Sequence, residues 1–238
     1  SEISNVRQAI TLVGMRTIKN FALWSAVFSL IPNPKCGTFD LKSLWQDSLR
    51  RALFARQMAT LLGLKDAEDV FAAALLQDMA VPLLAKEAPD AYNTLFGARS
   101  SSNNRVRLSM LEQRVFGWTH AEAAGMMVRN WSLPEEFADL IESHLAIDQL
   151  VSQATLEPSR LAVALSALLP TTGDQTWNEC SIFEQYYQKI CPNAGPKLTE
   201  LLGKVDREFA EFAPVMKLTI PKRSLVDNYE EVAAASAG

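Results

Sequence analysis

Histidine and cysteine are scarce in this chain, and that scarcity limits the chemistry open to it. Two histidines, His120 and His144, and three cysteines, Cys36, Cys180 and Cys191, occur in 238 residues. The cysteines form no CxxC pair and no ligand spacing. Their odd number suits reduced thiols better than a disulfide framework. Cys36 stands beside Lys35 in a loop, where a lowered thiol pKa is one reading and an incidental cysteine the other. No GxSxG, Walker loop or GxGxxG is present, which removes the motif-borne esterase, nucleoside-triphosphatase and dinucleotide readings. The longest apolar run, residues 21–31, holds Ser25 and Ser29 and is about half the ~20 residues that a bilayer span needs. No signal peptide is visible, and a cytoplasmic location is expected. Positive charge is not in excess either: 23 Lys and Arg against 27 Asp and Glu leave −4, with a pI near 5.3. Neither nucleic acid nor an acidic membrane is therefore an expected partner. The local pairs Arg50-Arg51, Arg105-Arg107 and Lys222-Arg223 read as solvated faces or loops, with a phosphate patch as the alternative.

What the chain has in abundance is apolar side chains at helical spacing. It is 48% hydrophobic and 21% charged, as a globular protein with a sizeable core should be. The period is helical nearly throughout, with no strand alternation and no internal repeat. Helices are expected over residues 5–13, stopped by Gly14, and 15–31, stopped by Pro32 and Pro34. Asp40 should cap a helix that ends at Gly63, and Asp66 a strongly apolar one over residues 70–84 that contains Gln77 and Asp78. Pro82 should kink or end it. Residues 98–104, rich in Ser and Asn, read as a loop. A helix over residues 105–116 ends at Gly117. Thr119 with Glu122, Ser132 with Glu135, and Ser181 with Glu184 all have capping-box spacing. They should start helices over residues 119–131 and 134–146 and a short aromatic helix after 181. A further helix is expected over residues 157–169. Beyond a Thr-, Gly- and Asp-rich stretch at residues 170–175, an amphipathic helix opens at Pro196 and closes before Pro214. The alanine-rich tail should be frayed. The expected organisation is a helical domain over residues 1–170 and a C-terminal helical extension over 171–238 packed on it.

The order of several short motifs resembles one family. Ile3-Ser4-Asn5 with Ala9-Ile10 and Leu12-Val13-Gly14 is similar to the I-S-S-x-x-x-A-I-x-x-L-G stretch of HDOD domains. Leu44-Trp45-Gln46-Asp47-Ser48-Leu49 resembles their L-W-x-H-S-L. Ala74-Leu75-Leu76-Gln77-Asp78-Met79 resembles A-G-L-L-H-D-I-G. Glu112, Phe116-Gly117, His120-Ala121-Glu122 and Trp131-Ser132-Leu133-Pro134 follow the run E-x-x-x-F-G-x-x-H-A-E … W-x-L-P. His144-Leu145 falls where many relatives have His-His. The resemblance implies an all-α fold, an HD-domain-like helical bundle with additional C-terminal helices. Trp45 and Trp131 then fall at core positions. Relatives carry further helices ahead of the first motif, so the sequence is expected to be a piece of a longer protein.

HDOD domains are a divergent branch of the HD superfamily of metal-dependent phosphohydrolases. An active HD site collects His and Asp from several helices around one or two metal ions, which make hydroxide from water at neutral pH. The resemblance puts Asp47, Gln77, Asp78, His120, His144 and Leu145 at the matching positions, with Leu165 opposite a last Asp. Positions 77, 145 and 165 thus lack a good ligand, and 47 has changed type. Gln is a poor substitute for imidazole as a metal ligand. The implied site is a vestigial pocket of Asp47, Gln77, Asp78, His120 and His144, with no catalytic residue, bound metal or cofactor expected. Plainer roles stand beside each. Asp47 can pair with Arg51 four residues on, and Asp78 can be a buried hydrogen-bonding carboxylate. Gln77 can line a polar pocket. His120 can be an ordinary first helical residue, and His144 can complement a helix C-terminus. The function implied is a non-catalytic output or regulatory module of a bacterial signal-transduction protein of response-regulator type. Its partners would be other signalling proteins or a fused upstream receiver or sensor domain. Two alternatives stay open: a pocket that holds a cation or small phosphorylated ligand without turnover, and a phosphohydrolase with a reduced ligand set.

Overall fold

The computed structural model describes residues 22, 25–102, 106–153, 157–191 and 195–237. Among them are helices and turns and no strand, the all-α class expected. The helix expected over residues 5–13, with Gly14, lies outside the described residues. Residues 25–30 are helical and stop ahead of Pro32.

Helix α1, Leu41–Leu61, is capped by Asp40, whose carboxylate accepts the Ser43 N–H at 2.9 Å. Beyond it Gly63 takes φ +72°, the left-handed turn that glycine adopts without a Cβ clash. The apolar stretch that follows is two helices rather than one, α2 (Ala67–Leu76) and α3 (Ala80–Glu87), so Gln77 and Asp78 sit in the break. Pro82 accounts for it. In a continuous helix its ring would collide with the Asp78 carbonyl four residues back. As third residue of a new helix it lacks only an N–H that helix starts leave unbonded anyway. Asp66 precedes α2 but makes no side-chain cap.

Helix α4, Pro89–Ser101, runs on through residues expected to be a loop. Its Thr94 and Ser101 hydroxyls donate to carbonyls four residues back, at 3.0 and 2.9 Å, so these polar side chains are satisfied within the helix. Helix α5, Leu108–Phe116, ends at Gly117 with φ +76°. Helix α6, His120–Asn130, starts with the expected capping box, Thr119 N–H donating to Glu122 at 2.7 Å. The second box does not form. Helix α7, Glu135–Glu142, begins after Pro134, Ser132 turns to φ +56°, and Glu135 pairs with Arg129 instead. A 3-10 turn, Ser143–Leu145, replaces the last expected turn of that helix, and α8 (Ile147–Ser152) and α9 (Pro158–Ser166) follow. Helix α10, Cys180–Ile190, starts ahead of Ser181, so the third box is absent too, and Glu184 accepts from the Tyr229 hydroxyl. Helix α11, Leu198–Phe212, matches its expected span. The tail expected to fray belongs to α12, Leu225–Ala237. A capping box holds its start, with Ser224 N–H donating to Asp227 at 2.8 Å and Asp227 N–H to the Ser224 hydroxyl at 2.9 Å.

Helix α1 forms the centre of the core. Its Leu49, Leu53, Phe54 and Met58 are fully buried, and α2, α9 and α11 pack around it. Side chains beyond Pro170 join the same apolar cluster. Phe183 meets Phe54 with ring centroids 5.3 Å apart, and burying such a ring stabilises by about 1.5–3 kcal/mol. Polar contacts tie the two segments as well, since Gln46 donates to the Thr219 carbonyl at 2.6 Å and Gln57 to Glu208 at 2.6 Å. A smaller cluster of Val81, Ala85, Tyr92, Leu95, Phe96 and Leu108 lies to one side. Trp45 is in the core as expected, but Trp131 is 41% exposed because it falls on the turn that ends α6. Cys36 is buried, and burial pushes its thiol pKa up, so Lys35 does not activate it. Among the described residues no helix is long and apolar enough to cross a membrane.

The unequal fate of the capping boxes is measurable. Thr119→Ala is expected to cost about 1 kcal/mol. Ser132→Ala, which removes no cap, should cost under about 0.5 kcal/mol, as for a surface change. Urea unfolding of both variants checks this, and equal losses would contradict the structure at α7.

Candidate metal centre

The break between α2 and α3 aims Asp78 at the two histidines. His120 is the first residue of α6, held there by the Thr119 cap, and His144 lies in the 3-10 turn after α7. Asp78 Oδ1 is 3.3 Å from His120 Nε2 and 3.7 Å from His144 Nε2, and the two Nε2 atoms are 3.3 Å apart. The three residues are 7%, 4% and 1% exposed, and all three line a cavity of about 440 Å3.

Each ring is held from behind. His144 Nδ1 lies 2.6 Å from the Ile141 carbonyl, a pure acceptor, so Nδ1 carries the proton and Nε2 presents its lone pair. His120 Nδ1 lies 2.6 Å from Glu112 Oε2, which also accepts the His120 backbone N–H at 2.9 Å. Tyr92 donates to the other Glu112 oxygen at 2.7 Å. Glu112 and Tyr92 are both fully buried. Sequence reasoning placed Glu112 in a motif without a site role and missed Tyr92, whose position has no motif to mark it.

Arg51 completes the cluster by pairing with Asp78 Oδ2. Asp47, its expected partner, instead accepts the Thr172 N–H at 2.8 Å. Both Arg51 and Asp47 line the cavity. The expectation that Arg50 and Arg51 are solvated fails. Arg50 is 3% exposed, lies over the Phe209 ring and donates to the Arg223 carbonyl at 2.5 Å. Arg107, the one described residue of the second basic pair, lines the cavity and pairs with Glu179. Gln77 does not line the cavity: it is fully buried, and its amide N and O have no hydrogen-bond partner. Leu145 lines the cavity and Leu165 is core. The structure therefore brings Asp78, His120 and His144 together, sets Asp47 on the cavity wall, and leaves Gln77 out.

Electrostatics follow from these contacts. Burial would raise the Asp78 pKa, but Arg51 and the two imidazoles outweigh it and hold the carboxyl well below the usual range. Burial would lower His120, but its bonds to Asp78 and Glu112 push it up to about 9. Burial dominates at His144 and pushes it down to about 4. Near neutrality His120 is thus an imidazolium between two carboxylates, and His144 is a neutral acceptor.

The donor set also fits a metal ion. Asp78, His120 and His144 each offer one ligand atom, all within 4.8 Å of one another. Bonds of about 2.0–2.1 Å in a tetrahedral arrangement separate donors by about 3.3–3.4 Å, and the three separations here are 3.3, 3.3 and 3.7 Å. The backing of each Nδ1 by a carbonyl or carboxylate is the arrangement usual behind metal-bound imidazoles. Asp78, His120 and His144 together offer three donor atoms at this place.

Known proteins agree with the fold. The HDOD domain family matches over residues 1–147. A crystal structure of a "Putative phosphohydrolase" from Shewanella amazonensis SB2B is similar with TM-score 0.64 and 17% identity, covering 89% of this chain and 74% of that one. A crystal structure of an HDOD domain protein with unknown function from Geobacter sulfurreducens gives TM-score 0.60 and 19% identity, covering 100% and 72%. No curated protein matches the chain.

Asp47 supplies a test of the cavity wall. Burial pushes its carboxyl up to about 7, against the pull of Arg51 and the Thr172 N–H. The unfolded value is about 3.9, so folding favours the protonated form. The cost of ionisation is absent below about pH 4 and complete above about pH 7. Asp47→Asn keeps an acceptor for Thr172 and is expected to raise Tm by a few degrees at pH 8 while leaving it unchanged at pH 4. A variant less stable than the parent at pH 8 would show that the ionised carboxylate is the favoured form.

Proposed function

The chain belongs to the HDOD domain family, and from that premise we propose that it is a regulatory module whose pocket holds one divalent metal ion without turning over a substrate. Asp78, His120 and His144 hold the ion. The module passes an upstream state on through protein contacts, with a signalling protein or a fused receiver or sensor domain as partner. The observation that carries the metal part is the spacing of three donor atoms, each on a residue fixed from behind. Against turnover stand the apolar residues Leu145 and Leu165, an amide at position 77 that does not line the cavity, and Arg51 on the second Asp78 oxygen. That arginine supplies, as a fixed side chain, positive charge on the carboxylate that would otherwise be free for a second cation.

One observation favours a second reading. Three protein ligands facing an open cavity is the coordination used by catalytic rather than structural sites, where a metal can lower the pKa of a bound water. On that reading the chain is a phosphohydrolase with a reduced ligand set.

Loading with manganese, iron and zinc followed by elemental analysis separates these ideas. The expected result is about one ion per chain, lost in the Asp78→Ala, His120→Ala double variant, with no hydrolysis of phosphomonoesters or phosphodiesters by the loaded protein. Hydrolysis abolished by a chelator and by the same double variant would replace the regulatory reading with the second one. No uptake of any of the three metals would sink the metal part of both.

A further inference from the structure

The carboxylate at position 112 does more than seat a helix. Glu112 is fully buried on α5 and accepts from three donors on two other elements: Tyr92 of α4, and the backbone and ring of His120 at the start of α6. Two of those contacts hold His120 at separate points, the main chain and Nδ1. With both fixed, the imidazole cannot flip, and Nε2 faces Asp78 and His144. The Tyr92 hydroxyl fixes the carboxylate in turn, so the orientation is set from a rigid aromatic cluster that includes Phe96 and Phe116.

Charge is the second half of the argument. Arg51 already occupies one oxygen of Asp78. A divalent ion on Asp78, His120 and His144 would sit beside that guanidinium with a single carboxylate between them. In an interior where charges interact strongly, that arrangement is unfavourable without another negative group close by. Asp47, Asp174 and Glu179 face Arg51 from the cavity side, and Glu112 is the negative group behind His120. It is one imidazole away from the donors, with one oxygen on the His120 ring and backbone and the other on the Tyr92 hydroxyl.

We propose that Glu112, locked by Tyr92, is the positioning residue of the metal centre: it fixes the His120 tautomer and places negative charge behind that ring, so that a cation can bind beside an arginine. This rests on the metal reading given above. The test is cobalt(II) titration of the apoprotein, followed by visible ligand-field absorption, with thermal unfolding of each metal-free protein alongside. Glu112→Gln keeps the size of the side chain and removes its charge. It is expected to weaken cobalt binding by about 10- to 100-fold and to shift the ligand-field bands, beyond anything that a change in stability explains. Glu112→Gln that binds within twofold of the parent with the same spectrum would overturn the proposal and leave the metal reading standing. A parent protein that takes up no cobalt would overturn both. If Glu112→Gln does not fold, Tyr92→Phe decides, because it removes one hydrogen bond from the carboxylate and nothing else. A several-fold loss of affinity supports the role of Glu112, and an unchanged affinity overturns it.

Discussion

Burying ionised groups is costly unless they satisfy one another, and the interior of this protein depends on one cluster that does. Asp78, Arg51, His120 and Glu112 would each be unfavourable alone in an apolar core. Together they alternate in sign, from Arg51 to Asp78, to the His120 imidazolium, to Glu112. The cluster draws on α1, the α2–α3 break, α5 and α6, and Tyr92 and His144 attach α4 and the 3-10 turn to it. The surrounding apolar packing supplies most of the stability, but it is indifferent to direction. The charge chain is directional, and it fixes how these helices are rotated about their axes.

The helical class and most helix spans were legible because apolar period and terminating residues act locally. Asp40, Gly63, Gly117 and the Thr119–Glu122 box behave as their chemistry dictates. The misread starts show where local chemistry is overruled. Ser132–Glu135 and Ser181–Glu184 have the right spacing, but their glutamates find partners outside their own helix, Arg129 for Glu135 and Tyr229 for Glu184. A spacing rule cannot detect such competition. Conversely, Ser224–Asp227 forms a box that the chain displays openly, hidden only by the low-complexity tail beyond it. Pro82, expected to kink or end the apolar helix, does so, and the break falls at Gln77-Asp78-Met79 because the ring would meet the Asp78 carbonyl four residues back.

The site was half legible. Family motifs mark Asp78, His120 and His144, yet nothing in the chain brings them within hydrogen-bonding distance of one another except the tertiary fold. Arg51 was read as the i+4 partner of Asp47, the local solution. It goes instead to Asp78, 27 residues away in sequence. Asp47 is then left to the Thr172 amide and a raised pKa. Tyr92 could not be found at all, since its role exists only through Glu112.

The same geometry balances the buried charge of the pocket with groups of the chain itself. Buried carboxylates must be neutralised, or the buried charge unfolds the region. Here a protonated imidazole and a guanidinium accomplish that neutralisation without a metal. The His144 lone pair still faces Asp78 and His120 because the Ile141 carbonyl holds its ring from the far side. The fold is therefore self-consistent with protons in place of a cation, and its three donors stay at coordination spacing. Gln77 does not line the cavity, and its amide has no hydrogen-bond partner. An orphaned buried amide is a standing cost, and a side chain serving only stability would not be expected there.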